Sequence, residues 1–231
     1  MREIVLDTET TGLDPLQGHR LIEIGCIELV NRIPTGQYFH RYVNPEREVP
    51  AEAVGVHGLS VEFLSDKPKF GDIAEELVGF IGDAPLVAHN ALFDLAFLNA
   101  ELERAGKITL PRERLIDTLL LARRKHPAGP NRLDDLCARY GVDNSRRTKH
   151  GALLDAELLA EVYVELTETR QAQLILAETG GLANATLVAA SSIRVRPEPL
   201  APRVSDEERH AHFEFIGTLG ENAIWREYLG T

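Results

Sequence analysis

Acidic residues at three places in the sequence have the types and spacing that phosphate chemistry requires. Asp7 and Glu9 lie two residues apart in the segment 3–9, which reads as a short buried strand, so both carboxylates point to the same face. Asp94 follows the next short apolar run, at the start of a periodic helical segment. Asp155 has leucine or valine at offsets of three, four, seven and eleven residues, in line with core positions. Burying such an acid is costly without a partner, and no Lys or Arg lies within one helical turn of it.

A histidine near the last acid adds a proton acceptor. His150 precedes Asp155 by five residues, and Gly151 indicates a sharply turned loop between them. An imidazole with a pKa of ~6.5 suits proton abstraction near neutral pH. Four acids in one cleft would raise each other's pKa, and divalent cations remove that repulsion. Oxygen ligands favour Mg²⁺ or Mn²⁺, and two such ions roughly 3.5–4 Å apart suit phosphodiester hydrolysis.

Each of these residues also has an ordinary structural explanation. Asp7 and Glu9 fit the solvated rim of a loop, since exposed acids are the rule. Asp94 and Asp155 fit acids near helix N-termini, where the helix dipole favours negative charge. His150 fits a plain surface loop. Residue types and spacing alone leave both explanations open.

Apolar periodicity predicts the elements that must position these side chains. Strands are predicted at 3–9, 21–31 and 37–44, with a hairpin turn at Pro34-Thr35-Gly36. Helical spacing begins at Phe70 and ends at Ile81, and a fourth strand follows at 85–89. Further helices are predicted at about 91–105, 117–125, 133–140 and 152–169. Strands first and then alternating helices and strands predict a mixed sheet flanked by helices, in the α/β class.

The composition limits the classes of function. The chain has 231 residues, of which 44% are hydrophobic and 26% charged, as in an ordinary globular protein. The only two cysteines, Cys26 and Cys137, favour a reducing cytoplasm, and no apolar run approaches the ~20 residues of a membrane helix. A net charge of −11 argues against gripping long nucleic acid by overall charge. It does not exclude an enzyme that takes one strand end at a local, metal-neutralised site.

The acidic segments carry a family resemblance. Three segments resemble the three motifs of the histidine subtype of the DEDD exonuclease superfamily: Asp7-Thr8-Glu9-Thr10-Thr11-Gly12, His89-Asn90-Ala91-x-Phe93-Asp94 and His150-x4-Asp155. Four more segments are similar to the epsilon-subunit family of bacterial DNA polymerase III: Gly55-Val56-His57-Gly58, Asp117-Thr118, Leu136-Cys137-Ala138-Arg139-Tyr140 and Asp143-Asn144-Ser145. The likeness covers about residues 1–170, and the remaining tail is similar more loosely.

This resemblance implies a fold and a chemistry. The fold would be ribonuclease H-like, a mixed five-stranded sheet with helices around it. Asp7, Glu9 and Asp155 would hold one divalent cation, Mg²⁺ or Mn²⁺, at the attacking water. Asp7 would bridge to a second cation, and Asp94 would complete the acidic set, partly through water. His150 would be the general base, and nucleoside 5′-monophosphates would leave one at a time from a 3′ end.

The resemblance also implies substrate contacts. Besides Asp7, Glu9 and Asp155, the residues expected to contact the terminal nucleotide are Thr10, Thr11, Gly12, Leu13, Glu52, His57, Asn90 and Phe93. Leu13 would lie beside the last base, whereas His57 would otherwise be read as a satisfied loop histidine. The basic runs Arg123-Arg124-Lys125 and Arg146-Arg147-Thr148-Lys149 fit either phosphate contacts or solvated faces.

The chain is expected to have three parts. Residues 1–172 are the predicted 3′–5′ exonuclease domain, 173–205 a linker with three prolines between 195 and 206, and 206–231 a tail that binds the polymerase subunit of DNA polymerase III. Gln171–Leu176 is similar to peptides that bind the sliding clamp, although no aromatic residue closes it. A helix end with core leucines explains that segment equally well.

Three functions remain as alternatives. The first is a proofreading exonuclease that borrows its grip on DNA from a replicase. The second is an RNA-trimming 3′–5′ exoribonuclease of the same superfamily, because the motifs act on the phosphate and do not separate DNA from RNA. The third is a catalytically silent adaptor between polymerase and clamp. The presence of all five chemical residues argues against the third.

Overall fold

The computed structural model describes residues 1–147, 149–167 and 204–219. The chain divides into two compact units, Met1–Ile175 and Leu176–Thr231. In the second unit one helix is described, Asp206–Thr218, with a capping box between Ser205 and Glu208 at its start. Within the described residues, no helix combines the length and the apolar character that crossing a membrane requires.

The first unit is built around a mixed five-stranded sheet. Its strands are β1 (Arg2–Thr10), β2 (Leu21–Val30), β3 (Ile33–Tyr42), β4 (Leu86–Ala88) and β5 (Leu115–Asp117), in the order β3-β2-β1-β4-β5. β1, β2 and β3 pair antiparallel, whereas β4 is parallel to both β1 and β5. The mixed five-stranded α/β sheet expected above is therefore confirmed.

Seven α-helices of this unit are described, besides two 3₁₀ turns at Pro15–Gln17 and Arg112–Arg114. The α-helices are α1 (Ala51–His57), α2 (Val61–Leu64), α3 (Phe70–Ile81), α4 (Ala91–Arg104), α5 (Thr118–Lys125), α6 (Leu133–Tyr140) and α7 (Ala152–Leu166). Alternate residues of β1 pack on opposite faces of the sheet: Ile4 and Leu6 join a core with α3 and α4, and Val5 joins a core with α6 and α7. Asp7 and Glu9 lie two and four residues after Val5 along β1, so their side chains point to the same face of the sheet, the face covered by α7.

The first hairpin turns at a different place from the one predicted. Val30 pairs with Ile33, so the turn is Asn31-Arg32, and Pro34-Thr35-Gly36 lies within β3. Both turn residues have positive φ, 52° and 67°, which matches the twist of a two-residue hairpin. Arg32 is unusual there, and its guanidinium donates to Glu3 and lies over the ring of Tyr163. Pro34 is tolerated because β3 is an edge strand.

The remaining differences concern short elements and helix ends. The predicted strand 37–44 begins four residues earlier and ends at Tyr42. The two short helices α1 and α2 and the three-residue strand β5 were not predicted, because segments of three to seven residues carry too little periodicity. α3 has the predicted bounds, and α7 ends at Leu166, three residues before the predicted end.

Candidate active site

Three side chains from distant parts of the sequence meet at the end of β1. One ligand atom each of Glu9, His150 and Asp155 lies within 4.8 Å of the others. Glu9 belongs to β1, Asp155 to the first turn of α7, and His150 to the loop that precedes this helix. The Nδ1 atom of His150 is 3.2 Å from Oδ2 of Asp155. The two carboxylates are buried, whereas the His150 side chain is 49% exposed to solvent.

A glycine on the neighbouring strand lets α7 approach this closely. Gly25 of β2 pairs with Asp7 of β1. A Cβ atom placed on Gly25 would lie 2.4 Å from the carbonyl carbon of Ala152 and from the backbone nitrogen of Leu153. Only a residue without a side chain fits there, so the backbone at the start of α7 rests directly on the sheet. This contact brings Asp155 to the strand that carries Asp7 and Glu9.

Asp94 joins the cluster from the first turn of α4. Its Oδ1 accepts a hydrogen bond of 2.7 Å from the hydroxyl of Thr8, the residue between Asp7 and Glu9. Asp94 is buried, and its negative charge acts on Asp7, as do those of Glu9 and Asp155. The structure therefore places the four predicted acids and His150 at one end of β1.

The pKa values show that the site strongly disfavours an uncompensated negative charge. Burial raises the pKa of Asp7 well above its usual range, and the charge of Asp94 raises it further. Burial also raises the pKa of Glu9 to about 8, although the charge of His150 opposes this. Burial raises the pKa of Asp94 to about 7 despite the hydrogen bond from Thr8. Carboxylate oxygens held close together with raised pKa values suit hard divalent cations, whose positive charge would favour the ionised form of the carboxyl groups.

Arg147 provides the partner that Asp155 lacks within its own helix. Its Nε donates to Oδ1 of Asp155 at 2.6 Å, and its Nη2 donates to Oδ2 at 2.7 Å. Its Nη1 donates to Asp134 on α6 at 2.7 Å, and only 7% of the side chain is exposed. Helical spacing does not predict this pair, because Arg147 lies in a loop eight residues before Asp155. From sequence, the basic run 146–149 has two interpretations, phosphate contacts or a solvated face. At Arg147 the structure shows instead a buried guanidinium that is paired with Asp155 and Asp134.

The protonation of His150 decides which neighbour its Nδ1 contacts. The Nη2 atom of Arg147 lies 2.6 Å from Nδ1, and because a guanidinium only donates, Nδ1 must accept in that contact. A protonated Nδ1 donates instead to Asp155, and this hydrogen bond raises the pKa of His150. Burial raises the pKa of Asp155, but the hydrogen bonds from His150 and Arg147 outweigh it, so the pKa of Asp155 lies below its usual value.

A cavity of about 590 Å³, named here the Leu13 cavity, lies on the Glu9 side of the cluster. The residues that line it and were predicted as substrate contacts are Glu9, Thr10, Thr11, Gly12, Leu13, Glu52, His57 and Phe93. Leu13 is 85% exposed at this cavity, and Phe93 packs against Phe97 with ring centroids 5.0 Å apart. Asn90 lies outside the lining, at the positive-φ residue before α4, where its N–H donates to Asp117.

The wall of the Leu13 cavity includes a buried histidine with an unused donor. His57 ends α1 and does not lie in a loop, and its Nδ1 accepts from the backbone N–H of Leu59. Its buried Nε2 has no partner within the described part of the chain. A buried donor without an acceptor costs free energy, so this N–H is available for a hydrogen bond to a group bound in the cavity. His19, which the sequence did not single out, lines the same cavity beside Gly12, where a Cβ would lie 2.3 Å from its ring.

A second cavity, named here the Arg132 cavity, begins at the same cluster and has a volume of about 710 Å³. Its lining includes Asp7, His150 and Asp155 of the cluster together with Arg123 and Arg132. The carboxylate–histidine cluster thus lies between two open cavities.

Some predicted features fall on residues outside the described ranges. Thr148, the segment Gln171–Leu176 and most of the predicted linker 173–205 are among them, as are residues 220–231 of the predicted tail. Their assigned roles remain predictions.

Comparisons with known proteins agree with this geometry. A family model described as an exonuclease, of the RNase T type, matches residues 4–163. The DNA polymerase III subunit epsilon of Rickettsia felis is 47% identical over 226 residues, which cover 96% of this chain and 99% of that protein. The protein of the same name from Escherichia coli K12 is 42% identical over 241 aligned positions, covering 97% of both chains.

Solved structures share the fold. The nuclease domain of 3′hExo, described as a DEDDh family member bound to rAMP, has a TM-score of 0.62 and 18% identity, covering 73% of this chain and 92% of that one. Exonuclease X, in complex with 5′ overhanging duplex DNA, has a TM-score of 0.55 and 24% identity, covering 72% and 91%. The ribonuclease H-like fold expected from the sequence is thereby confirmed.

Proposed function

The chain belongs to the exonuclease family and, within it, to the DNA polymerase III epsilon subunits, and we propose that it proofreads DNA by removing nucleotides one at a time from 3′ ends. The observation that carries the chemistry is the cluster of Glu9, His150 and Asp155, joined by Asp7 and Asp94, between two cavities. The relatives' full-length identity favours DNA over RNA as the substrate.

Four carboxylates are the proposed ligands of two divalent cations, Mg²⁺ or Mn²⁺: Asp7, Glu9, Asp94 and Asp155. When bound, such cations neutralise the carboxylates and polarise the phosphate and the reacting oxygens. His150 in its neutral form takes a proton from the attacking water, and its exposed side chain passes that proton to solvent. The water oxygen bonds to phosphorus, the P–O3′ bond breaks, and the departing O3′ takes a proton from solvent. The products are a nucleoside 5′-monophosphate and a strand shortened by one nucleotide, with a new 3′-hydroxyl.

The Leu13 cavity is the proposed site of the 3′-terminal nucleotide. Its volume of about 590 Å³ is within the usual range for small-ligand pockets. The unpartnered Nε2 of His57 would donate to the nucleotide, and Leu13 would pack beside the terminal base. Thr10 supports this wall, since its hydroxyl donates to the carbonyl oxygen of Gly12 at 2.6 Å.

Substitution of the clustered residues tests the catalytic assignment. Asp7→Ala or Asp155→Ala should abolish release of mononucleotides from a 3′-labelled DNA oligomer in Mn²⁺, because each removes a cation ligand. His150→Ala should lower kcat about 10²–10⁴-fold, the usual contribution of a positioned base, while Mn²⁺ binding persists. Glu103→Gln, an exposed acid of α4, is the control and should behave as wild type. Wild-type turnover in both aspartate variants would refute the site.

Matched single-stranded DNA and RNA oligomers separate proofreading from RNA trimming. We expect faster shortening of the DNA oligomer. A strong preference for RNA would overturn the DNA assignment while leaving the catalytic site intact.

The polymerase subunit of DNA polymerase III is the proposed partner of residues 206–231, and the sliding clamp that of Gln171–Leu176. The helix Asp206–Thr218 supports the first assignment, because Phe213 and Phe215 are 42% and 59% exposed on it. Large exposed apolar side chains on one short helix suit a protein-binding segment. The cytoplasm, where such a polymerase would act, is the proposed location.

A further inference from the structure

We propose that the Arg132 cavity holds the phosphates of the DNA strand immediately behind the scissile one, with Arg123 and Arg132 as their binding residues. The proposal rests on the proposed function and adds the path of the substrate strand. Terminal-nucleotide binding in the Leu13 cavity places the scissile phosphate at the cluster, so the rest of the strand has to leave on another side. The Arg132 cavity offers such a way out, since Asp7, His150 and Asp155 of the cluster are among its lining residues.

The charges in this cavity suit a phosphate chain. Arg123 on α5 and Arg132 before α6 are both exposed, and neither guanidinium forms an ion pair with a carboxylate of the described ranges. Besides Asp7 and Asp155 of the cluster, the lining includes one acid, Asp134, which accepts from Arg147 at 2.7 Å and shares that guanidinium with Asp155. Two free guanidinium groups in a chain of net charge −11 thus form a local positive wall, which a polyanion can contact.

The loop that carries Arg132 is held in place by its own hydrogen bonds. The side chain of Asn131 donates to the carbonyl oxygens of His126 and Gly129, and Arg139 donates to Asn131 and Pro130. The Nε2 of His89, at the end of β4, lies 2.9 Å from the carbonyl oxygen of Asn131 and donates to it. Because the loop is fastened to the sheet, Arg132 keeps a defined position relative to the cluster, as a binding residue requires.

The experiment compares two substrates that differ only in having a strand behind the scissile bond. One is a ten-nucleotide single-stranded DNA, and the other is thymidine 5′-(p-nitrophenyl phosphate), which has no such strand. For the double variant Arg123→Gln/Arg132→Gln we expect KM for the oligomer to rise about 10-fold or more with kcat nearly unchanged. The lost charged hydrogen bonds would stabilise the bound substrate and the transition state equally, so their loss affects KM and not kcat. Hydrolysis of the nitrophenyl ester should not change.

Two further measurements identify the phosphate as the partner. The slope of log KM against log salt should fall by about 1.4 in the double variant, roughly 0.7 for each lost contact with a single strand. A neutral methylphosphonate at the two linkages behind the scissile one should raise KM for wild type and have no further effect on the double variant. Arg124→Gln, the next residue of α5, lines a different cavity and serves as the matched control with wild-type values.

An unchanged KM of the double variant for the oligomer would overturn the proposed strand path. An equal loss of kcat/KM on the oligomer and on the nitrophenyl ester would also overturn it. Failure of the proposed function looks different: wild-type protein would leave the DNA oligomer unshortened. In that case fluorescence anisotropy of the labelled oligomer would still decide, since binding independent of both arginines refutes the proposal.

Discussion

At the scale of single residues, the arginine–aspartate pair at the centre of the site has the largest consequence. Both oxygens of Asp155 accept hydrogen bonds from Arg147, within 2.6–2.7 Å. A cation held by Asp155 at the proposed site would therefore compete with the guanidinium for these oxygens. Arg147 stabilises the metal-free protein by pairing a buried carboxylate, and by the same contact we expect it to weaken metal binding at the proposed site.

Replacing Arg147 tests this competition. Arg147→Gln should tighten Mn²⁺ binding about 10-fold, because a charge-assisted bidentate contact no longer has to be broken. The same variant should unfold at a lower temperature in EDTA, since Asp155 loses its partner. Titration of free Mn²⁺ by electron paramagnetic resonance measures the first effect, and thermal unfolding the second.

Arg146→Gln provides the control, because the Arg146 side chain is 73% exposed and, among the residues with described positions, forms an ion pair only with Glu157 at 3.6 Å. It should leave Mn²⁺ affinity unchanged. Weaker Mn²⁺ binding in Arg147→Gln would contradict the competition and would make Arg147 a support of the metal site.

At the scale of elements, the contact of α7 with β2 positions the cluster. Gly25→Ala forces its new methyl group against the backbone of Ala152 and Leu153, which cannot move as a side-chain end can. We expect a loss of roughly 1–3 kcal/mol in the free energy of unfolding, typical of overpacking, and a lower kcat as Asp155 shifts. Urea unfolding and single-turnover cleavage measure the two effects.

The matched control is Gly79→Ala in the interior of α3, where nothing lies within 4 Å of the added Cβ. Alanine favours the helix by about 0.8–1 kcal/mol over glycine, so this variant should be as stable as wild type or more so. Equal behaviour of the two variants would show that the close approach of α7 does not position the site.

His89 links β4, α5 and the loop of the Arg132 cavity, and it predicts a pH dependence. Its ring contacts the Thr118 hydroxyl and the Asn131 carbonyl, both at 2.9 Å. Burial lowers the pKa of His89 and Arg123 lowers it further, and these effects outweigh the Asn131 hydrogen bond and the charge of Asp117, which raise it. A depressed folded-state pKa means that the unfolded chain takes the proton first. Stability from neutral His89 is therefore complete above about pH 6.5, and it is lost as the pH falls toward the folded-state pKa.

His89→Gln should accordingly be less stable than wild type at pH 8, because the ring contacts are lost. The difference should narrow at pH 5.5, where the neutral ring no longer favours the folded state. Urea unfolding at both pH values measures the difference. A constant or widening difference would contradict a lowered pKa for His89.

At the scale of the whole molecule, the charge and the two units fit a subunit that relies on a partner. A chain with a net charge of −11 has little general attraction for DNA, whereas Arg123 and Arg132 line the cavity that the cluster shares. The described helix of the second unit exposes Phe213 and Phe215. A partner bound by that unit would hold the exonuclease near the primer end at high effective concentration.

Truncation separates exonuclease activity from binding to the polymerase subunit. A chain that ends after residue 185 keeps the whole compact unit Met1–Ile175, so it should shorten single-stranded DNA at the wild-type rate. It should lose binding to the polymerase subunit, measured by co-elution in size-exclusion chromatography. Co-elution of the shortened chain would place the partner contact in the first unit.

Local patterns in the sequence were sufficient for the long elements, and they singled out the acids without deciding their role. The bounds of α3 and the acids of β1, α4 and α7 follow from apolar spacing and from charges set against it, both of which are local properties. The hairpin turn was predicted three residues too late, because the proline and glycine of an edge strand resemble a turn signal until the pairing register is known.

Tertiary structure alone decided how those residues interact. Thr8 donates to Asp94 across 86 positions of sequence, and Arg20 forms a partly buried pair with Glu101 across 81 positions. Arg147 reaches Asp155 through a loop whose conformation has no periodic signal. Cavities exist only between packed elements, so neither of the two beside the cluster is encoded in any single segment. Spacing along a chain specifies which side chains share a face, whereas packing specifies which faces meet.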